Sequence, residues 1–86
     1  MIYNDFYDWL LNEKKLSQRA AKDVISRCKR IIKLLNIDEI DTFTIEKLNT
    51  NAEFVETSMF IKSQLRRACS LWNEFGEKYA TTSYSR

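Results

Sequence analysis

Residues 17–35, SQRAAKDVISRCKRIIKLL, carry Ala21, Val24, Cys28, Ile31 and Leu35 at alternating steps of three and four, with Ile25 and Ile32 beside them. A strand repeats every two residues, so this spacing commits the stretch to a helix with one apolar face. At about 100° per residue, Arg19, Lys22, Ser26, Lys29, Arg30 and Lys33 fall on the opposite side, and Asp23 is the only acid in the segment. One face reads as core and the other as a nearly pure positive stripe. The helix must bury its first face against other elements, and the rest of the chain has to supply them.

The chain has one glycine, Gly76, and no proline, so few loops are signalled and helices should dominate. Its 86 residues suit one domain, and 44% hydrophobic content is enough for a small core. Asn4 or Asp5 is placed to cap a first helix running to about Lys14, with Phe6, Trp9 and Leu10 on its inner face and Ile2, Tyr3 and Tyr7 as further apolar candidates. Asp5 and Asp8 suit the positive end of the dipole, and Lys14 and Lys15 suit its negative end. Leu16 reads as a staple before a cap at Ser17. The second helix should then run over residues 18–36 and end at Asn36.

Downstream, Ile37 and Ile40 should tuck under the core, and Thr44 should cap a short helix over residues 45–49 with Ile45 and Leu48 inward. Residues 50–56 read as a loop with a turn of helix, anchored by Phe54 and Val55. Thr57 or Ser58 should cap a last helix over residues 59–79. Its series Ile61, Leu65, Ala68, Trp72, Phe75, Tyr79 steps four, three, four, three, four, the cleanest periodicity in the chain. Gly76 should cost that helix stability near its end. Phe60 and Leu71 share its flank, and form either a contact patch or part of the packing under a neighbouring helix. Helices of this number and length predict an all-α fold, a compact four-helix bundle over residues 1–80, followed by a flexible tail or linker at 81–86.

The net charge of +2 hides a strong separation. Residues 18–35 hold six basic side chains against one acid, a net +5. Residues 36–57 hold Asp38, Glu39, Asp41, Glu46, Glu53 and Glu56 against Lys47 alone, a net −5. Histidine is absent, which removes the commonest general base and leaves a zinc site only Cys28 and Cys69. Those two cysteines read as reduced, buried side chains of a cytoplasmic protein. One glycine rules out a Gly-rich phosphate loop. Asp38, Glu39 and Asp41 read as a solvated acidic turn, and Tyr84 as part of the tail. No metal or cofactor is implied. No apolar run approaches the roughly 20 residues of a membrane span, and MIYNDFYDW is too acidic for a signal peptide.

The basic stripe is the polar feature with a direction. A helix in a major groove needs cations for the flanking phosphates and polar tips for base edges. Arg19, Lys22, Lys29, Arg30 and Lys33 supply the first, and Ser26, Gln18 and the arginines the second. The last helix offers a second set, Lys62, Ser63, Arg66 and Ser70, with Arg67 and Asn73 nearby. A merely solvated polar face is the competing reading of both.

Three segments together resemble the N-terminal core-binding domain of tyrosine recombinases and phage integrases. FYDWLLNEKKLSQRAAKDVISRCKRIIKLL is similar to the family's aromatic first helix, Leu-Ser junction and long basic second helix. DTFTIEKLN is similar to its short third helix, and SMFIKSQLRRACSLWNEFGEKY to its last. The resemblance covers residues 2–80. It implies a SAM-like helical bundle that clamps double-stranded DNA for site-specific recombination, without catalytic residues of its own. In such proteins a separate C-terminal domain carries the arginines, histidine and nucleophilic tyrosine. Arg66 and Arg67 match basic positions of the last helix, not catalytic ones. The alternative from the residues alone is a helical protein-interaction module that self-associates weakly, basic side to acidic side.

Overall fold

A computed structural model describes the backbone of residues 3–84 and the side chains of residues 3–78. The described chain is all helical: α1 (Tyr3–Asn12), α2 (Gln18–Leu35), α3 (Thr44–Thr50), α4 (Ala52–Val55) and α5 (Met59–Tyr84). The turn of helix expected within residues 50–56 is α4, which brings the count among the described residues to five. None of these helices is long and apolar enough to cross a membrane.

Local chemistry sets most boundaries. Ser17 has extended backbone (φ −70°, ψ 163°) and its Oγ accepts from the Ala20 N–H at 3.1 Å, starting α2 as expected. At the other end Asn36 sits in the left-handed region (φ 54°, ψ 50°), its N–H donating to the Lys33 carbonyl and the Ile37 N–H to that of Ile32. This is a Schellman closure with asparagine in the position that tolerates positive φ. The α1 end differs from expectation. The helix stops at Asn12, because Lys15 takes a positive φ of 57° and lets the Leu16 N–H reach back to the Leu10 carbonyl at 3.1 Å. Asn4 and Asp5 lie inside α1, not at its cap. Ile2 falls outside the described residues.

The cap of α3 also moves. Thr44 is fully buried inside the helix, and its Oγ1 accepts from the Asp41 N–H at 2.9 Å. The Thr44 hydroxyl in turn donates at 3.3 Å to the Asp41 carboxylate, which also accepts from the Phe43 N–H at 2.8 Å. The N-cap of α3 is Phe43, which makes no side-chain cap bond, so Asp41 and Thr44 close the turn that leads into the helix. Asn51 starts α4 by accepting from the Phe54 N–H. A single turn separates neighbours by about 100°, so Phe54 is buried while Val55 is half exposed, not anchored. Ser58 caps α5 through the Ile61 N–H, and Thr57 instead donates to the Phe54 carbonyl at 2.7 Å.

α5 continues past Tyr79 to Tyr84, so the expected tail is helical as far as residue 84. The side chains of Tyr79 and Tyr84 lie outside the described ones.

The core forms where α2 lies along α5. Small residues, Ala21 and Cys28 from one helix and Ala68 and Cys69 from the other, are all fully or almost fully buried. They bring the Cys28 thiol to 3.6 Å from the Ala68 carbonyl, to which it donates. Phe6 of α1 meets Trp72 edge-on at 4.9 Å and Phe75 at 5.3 Å, fixing α1 across the C-terminal half of α5. Leu48 and Phe54 seat α3 and α4, and Ile40 plugs the loop before them. Leu71 is buried while Phe60 is 72% exposed, so the two do not make one patch.

A Cβ built on Gly76 meets nothing within 4 Å, so Gly76→Ala should raise stability by about 0.5–1 kcal/mol, read as a higher urea midpoint. Burial pushes Cys28 up to about 12 and Cys69 up to about 11, from an ordinary 9.0. Below pH 9 both states keep the thiols protonated. Above it the unfolded thiols ionise first, so stability should fall as pH rises from 9 towards 12. A urea series over that window checks the slope, which Cys28→Ala with Cys69→Ala should flatten.

Candidate nucleic-acid interface

The outer face of α2 is built by register alone. With Cys28 turned into the seam with α5, a 100° step per residue distributes Lys29, Lys22, Lys33, Ser26, Arg19 and Arg30 in that order. They cover an arc of about 100°, and all six are exposed. Ser26 stands near the middle, flanked by cations. From Arg19 to Lys33 the row is about 21 Å long. Asp23 lies just outside its margin, and Arg27, the sixth basic residue of the helix, turns off the stripe and is half-buried.

Each edge of the stripe has a neighbour that sequence reasoning did not find. The Lys29 ammonium lies 5.3 Å from the centre of the Tyr3 ring, a cation–π contact that ties it to α1. At the other edge Arg30, Lys33 and Leu34 share a groove of about 330 Å³ with Glu53 of α4. These neighbours come from tertiary packing, and no local signal in the sequence announces them.

The second set, on α5, is not brought to this surface. Ala68 of α5 faces α2. Arg66 and Ser70 leave the helix about 160° away from it, Ser63 about 140° and Lys62 about 120°. On α2 the stripe likewise turns away from α5, so the two sets point to opposite sides of the pair. Lys62 is half-buried, whereas Ser63, Arg66 and Ser70 are exposed.

Arg66 is also engaged. Its Nε and Nη2 both donate to Asn49 Oδ1, at 3.3 and 2.8 Å, and its guanidinium lies 5.3 Å from the centre of the Phe54 ring. It ties α3 and α4 to α5. Ser70 lines a groove beside residues 39–42.

The acids of residues 38–56 are all exposed, so they form a negative layer over the loop, α3 and α4. The Asn73 amide pins that loop by donating to the Asp41 carbonyl at 3.0 Å. Asp38 and Glu39 are solvated as expected, while the Asp41 carboxylate accepts from the Phe43 N–H and the Thr44 hydroxyl. Among the described residues no three His, Cys, Asp or Glu side chains come together to hold a metal ion.

Comparison with protein-family models, with curated proteins and with solved structures gave no significant match for this chain.

If Arg66 acts as a tether, lysine should not replace it, because an ammonium lacks the planar fork and the stacking surface. Arg66→Lys should lower stability by about 0.5–1 kcal/mol, seen as a lower urea midpoint with an unchanged slope. Asn49→Ala should remove much of the difference between arginine and lysine at this position.

Proposed function

We propose that the chain is a DNA-binding module that lays the outer face of α2 along a duplex. The observation that carries this reading is the composition of that face: five exposed cations and one central serine on a continuous arc, with no acid inside it and Asp23, the one acid of α2, outside its margin. Arg19, Lys22, Lys29, Arg30 and Lys33 neutralise phosphates on both sides of a groove, and Ser26 offers a hydroxyl to base edges. A row about 21 Å long suits one crossing of a major groove.

In this reading the chain acts as the core-binding domain of a tyrosine recombinase or phage integrase. α1, α2, the α3–α4 pair and α5 make the four units of a SAM-like bundle, working in the cytoplasm without a cofactor. The chemistry belongs to a separate catalytic domain. The contact is one-sided: Lys62, Ser63, Arg66 and Ser70 lie on the far side of α5 and do not share the duplex held by α2.

A second reading, a helical protein-interaction module, is favoured by one observation. Val55, Met59 and Phe60 gather large apolar side chains that are 50%, 79% and 72% exposed around the start of α5.

Fluorescence anisotropy with a labelled duplex tests the first reading. Binding should be saturable, and log affinity should fall linearly with log salt. Reversing Lys22, Lys29 and Lys33 to Glu should weaken it by at least about tenfold and shallow the salt slope by about 0.9 for each phosphate that is no longer neutralised. Lys62→Glu should leave affinity within about twofold. Unchanged affinity in the triple variant, with wild-type helical content by circular dichroism, would overturn the proposal.

A further inference from the structure

The acidic segment does more than keep its charge away from α2. Between residues 39–42 and the stretch 70–77 of α5 it leaves an open groove of about 840 Å³. Ile40 and Trp72 contribute apolar surface, and Glu39, Asp41, Glu74 and Glu77 stand around it. Lys14 pairs with Glu74. The Asp41 carboxylate is held in place by the Phe43 N–H and the Thr44 hydroxyl, and no cation among the described residues pairs with it or with Glu39.

An apolar floor beneath a carboxylate rim suits a particular kind of side chain. It should have a long aliphatic stem to lie on Trp72 and a terminal cation to reach Glu39 and Asp41. Lysine and arginine have that form.

The chain itself displays such side chains in a row, on the outer face of α2. They cannot reach their own groove. The stripe turns away from α5, while the groove is built on α5 and on the loop that Asn73 pins to it. Only another molecule can bring stripe and groove together. The stripe presents five exposed cations and no acid, and the groove is edged by Glu39 and Asp41 with no cation in its lining, which makes the two surfaces complementary in sign.

We propose that the groove of one copy receives the basic face of α2 from a second copy, giving a head-to-tail self-association. The two surfaces differ, so the contact is heterologous and repeats along an open chain unless its rotation closes a ring. Self-association of this kind goes beyond the DNA reading. Where both hold, duplex DNA and a second copy compete for one face of α2.

Sedimentation equilibrium of the whole chain without DNA tests it, at about 20 mM and about 500 mM salt, where screening is weak and strong. At low salt the average mass should rise above the monomer with concentration, and at high salt it should return to the monomer. Glu39→Lys in the groove, and the Lys22→Glu, Lys29→Glu, Lys33→Glu triple variant in the stripe, should each weaken association at least about tenfold. Mixing the two variants should give a 1:1 dimer and nothing longer, because the intact stripe of the Glu39→Lys variant fits the intact groove of the triple variant and no further copy can add. Circular dichroism of each variant should match the wild type.

A monomer at every low-salt concentration would overturn the proposal. So would association that persists in both variants, or that disappears in each and is not restored on mixing. Because no DNA is present, failure of the DNA reading leaves these outcomes unchanged.

Discussion

The approach of α2 to α5 at Cys28 and Ala68 is the constraint on which the other contacts depend. Both helices contribute buried small side chains to the core, and the thiol of one helix reaches a main-chain carbonyl of the other at 3.6 Å. Such closeness needs small residues, because each added methylene would force backbones or rotamers to shift in an already dense interior. Val24, Ile31, Leu65 and Phe75 then close the space around the seam. The aromatic cluster of α1 is seated against α5 on one side, and Leu48 and Phe54 seat α3 and α4 elsewhere along the pair. The cysteines therefore serve as small apolar residues, and their burial holds both thiols neutral through the physiological range.

The same seam organises charge. Each helix spends its inner arc on the other, so their outer arcs face opposite ways. α2 carries its cations outward on one side, while Arg66 and Ser70 emerge on the other, next to α3 and the acidic loop. That loop is fixed by three polar devices: the Asn36 closure, the reciprocal Asp41–Thr44 bonds, and the Asn73 amide on the Asp41 carbonyl. Each directs backbone polar groups that would otherwise go unpaired. Together they keep the negative layer off the outer face of α2, except where Glu53 meets Arg30 and Lys33 at its margin. A positive face thus survives on a chain whose net charge is only +2. The proposed DNA contact and the proposed self-association both draw on this separation.

Much of this was legible in the residues taken alone. The steps of three and four placed α2 and α5, Ser17 and Asn36 marked the ends of α2, and the burial of both cysteines followed from their places beside the apolar faces. The six-residue stripe was legible too, and every member is exposed. Other features were not. Thr44 is a competent cap by residue type, yet it is drawn into the core inside α3 and the N-cap falls on Phe43. Phe54 and Val55 are both apolar, and only the packing of α4 decides which goes inside. The C-terminal stretch has no apolar period to mark it, yet α5 continues through it as far as Tyr84.

What the sequence by itself determined is what acts over about one turn of helix: periodicity, capping, and the charge borne by each face. What only the tertiary structure decided is which face meets which. Arg66 finds Asn49 across 17 residues, Asn73 finds Asp41 across 32, and Cys28 finds Ala68 across 40. Those contacts turned the two basic sets to opposite sides, tied Arg66 to α3 and α4, and opened the acidic groove on α5. The physical reason is that helix register fixes directions only relative to one helix axis. The relative placement of two axes is set by the shape of the side chains packed between them.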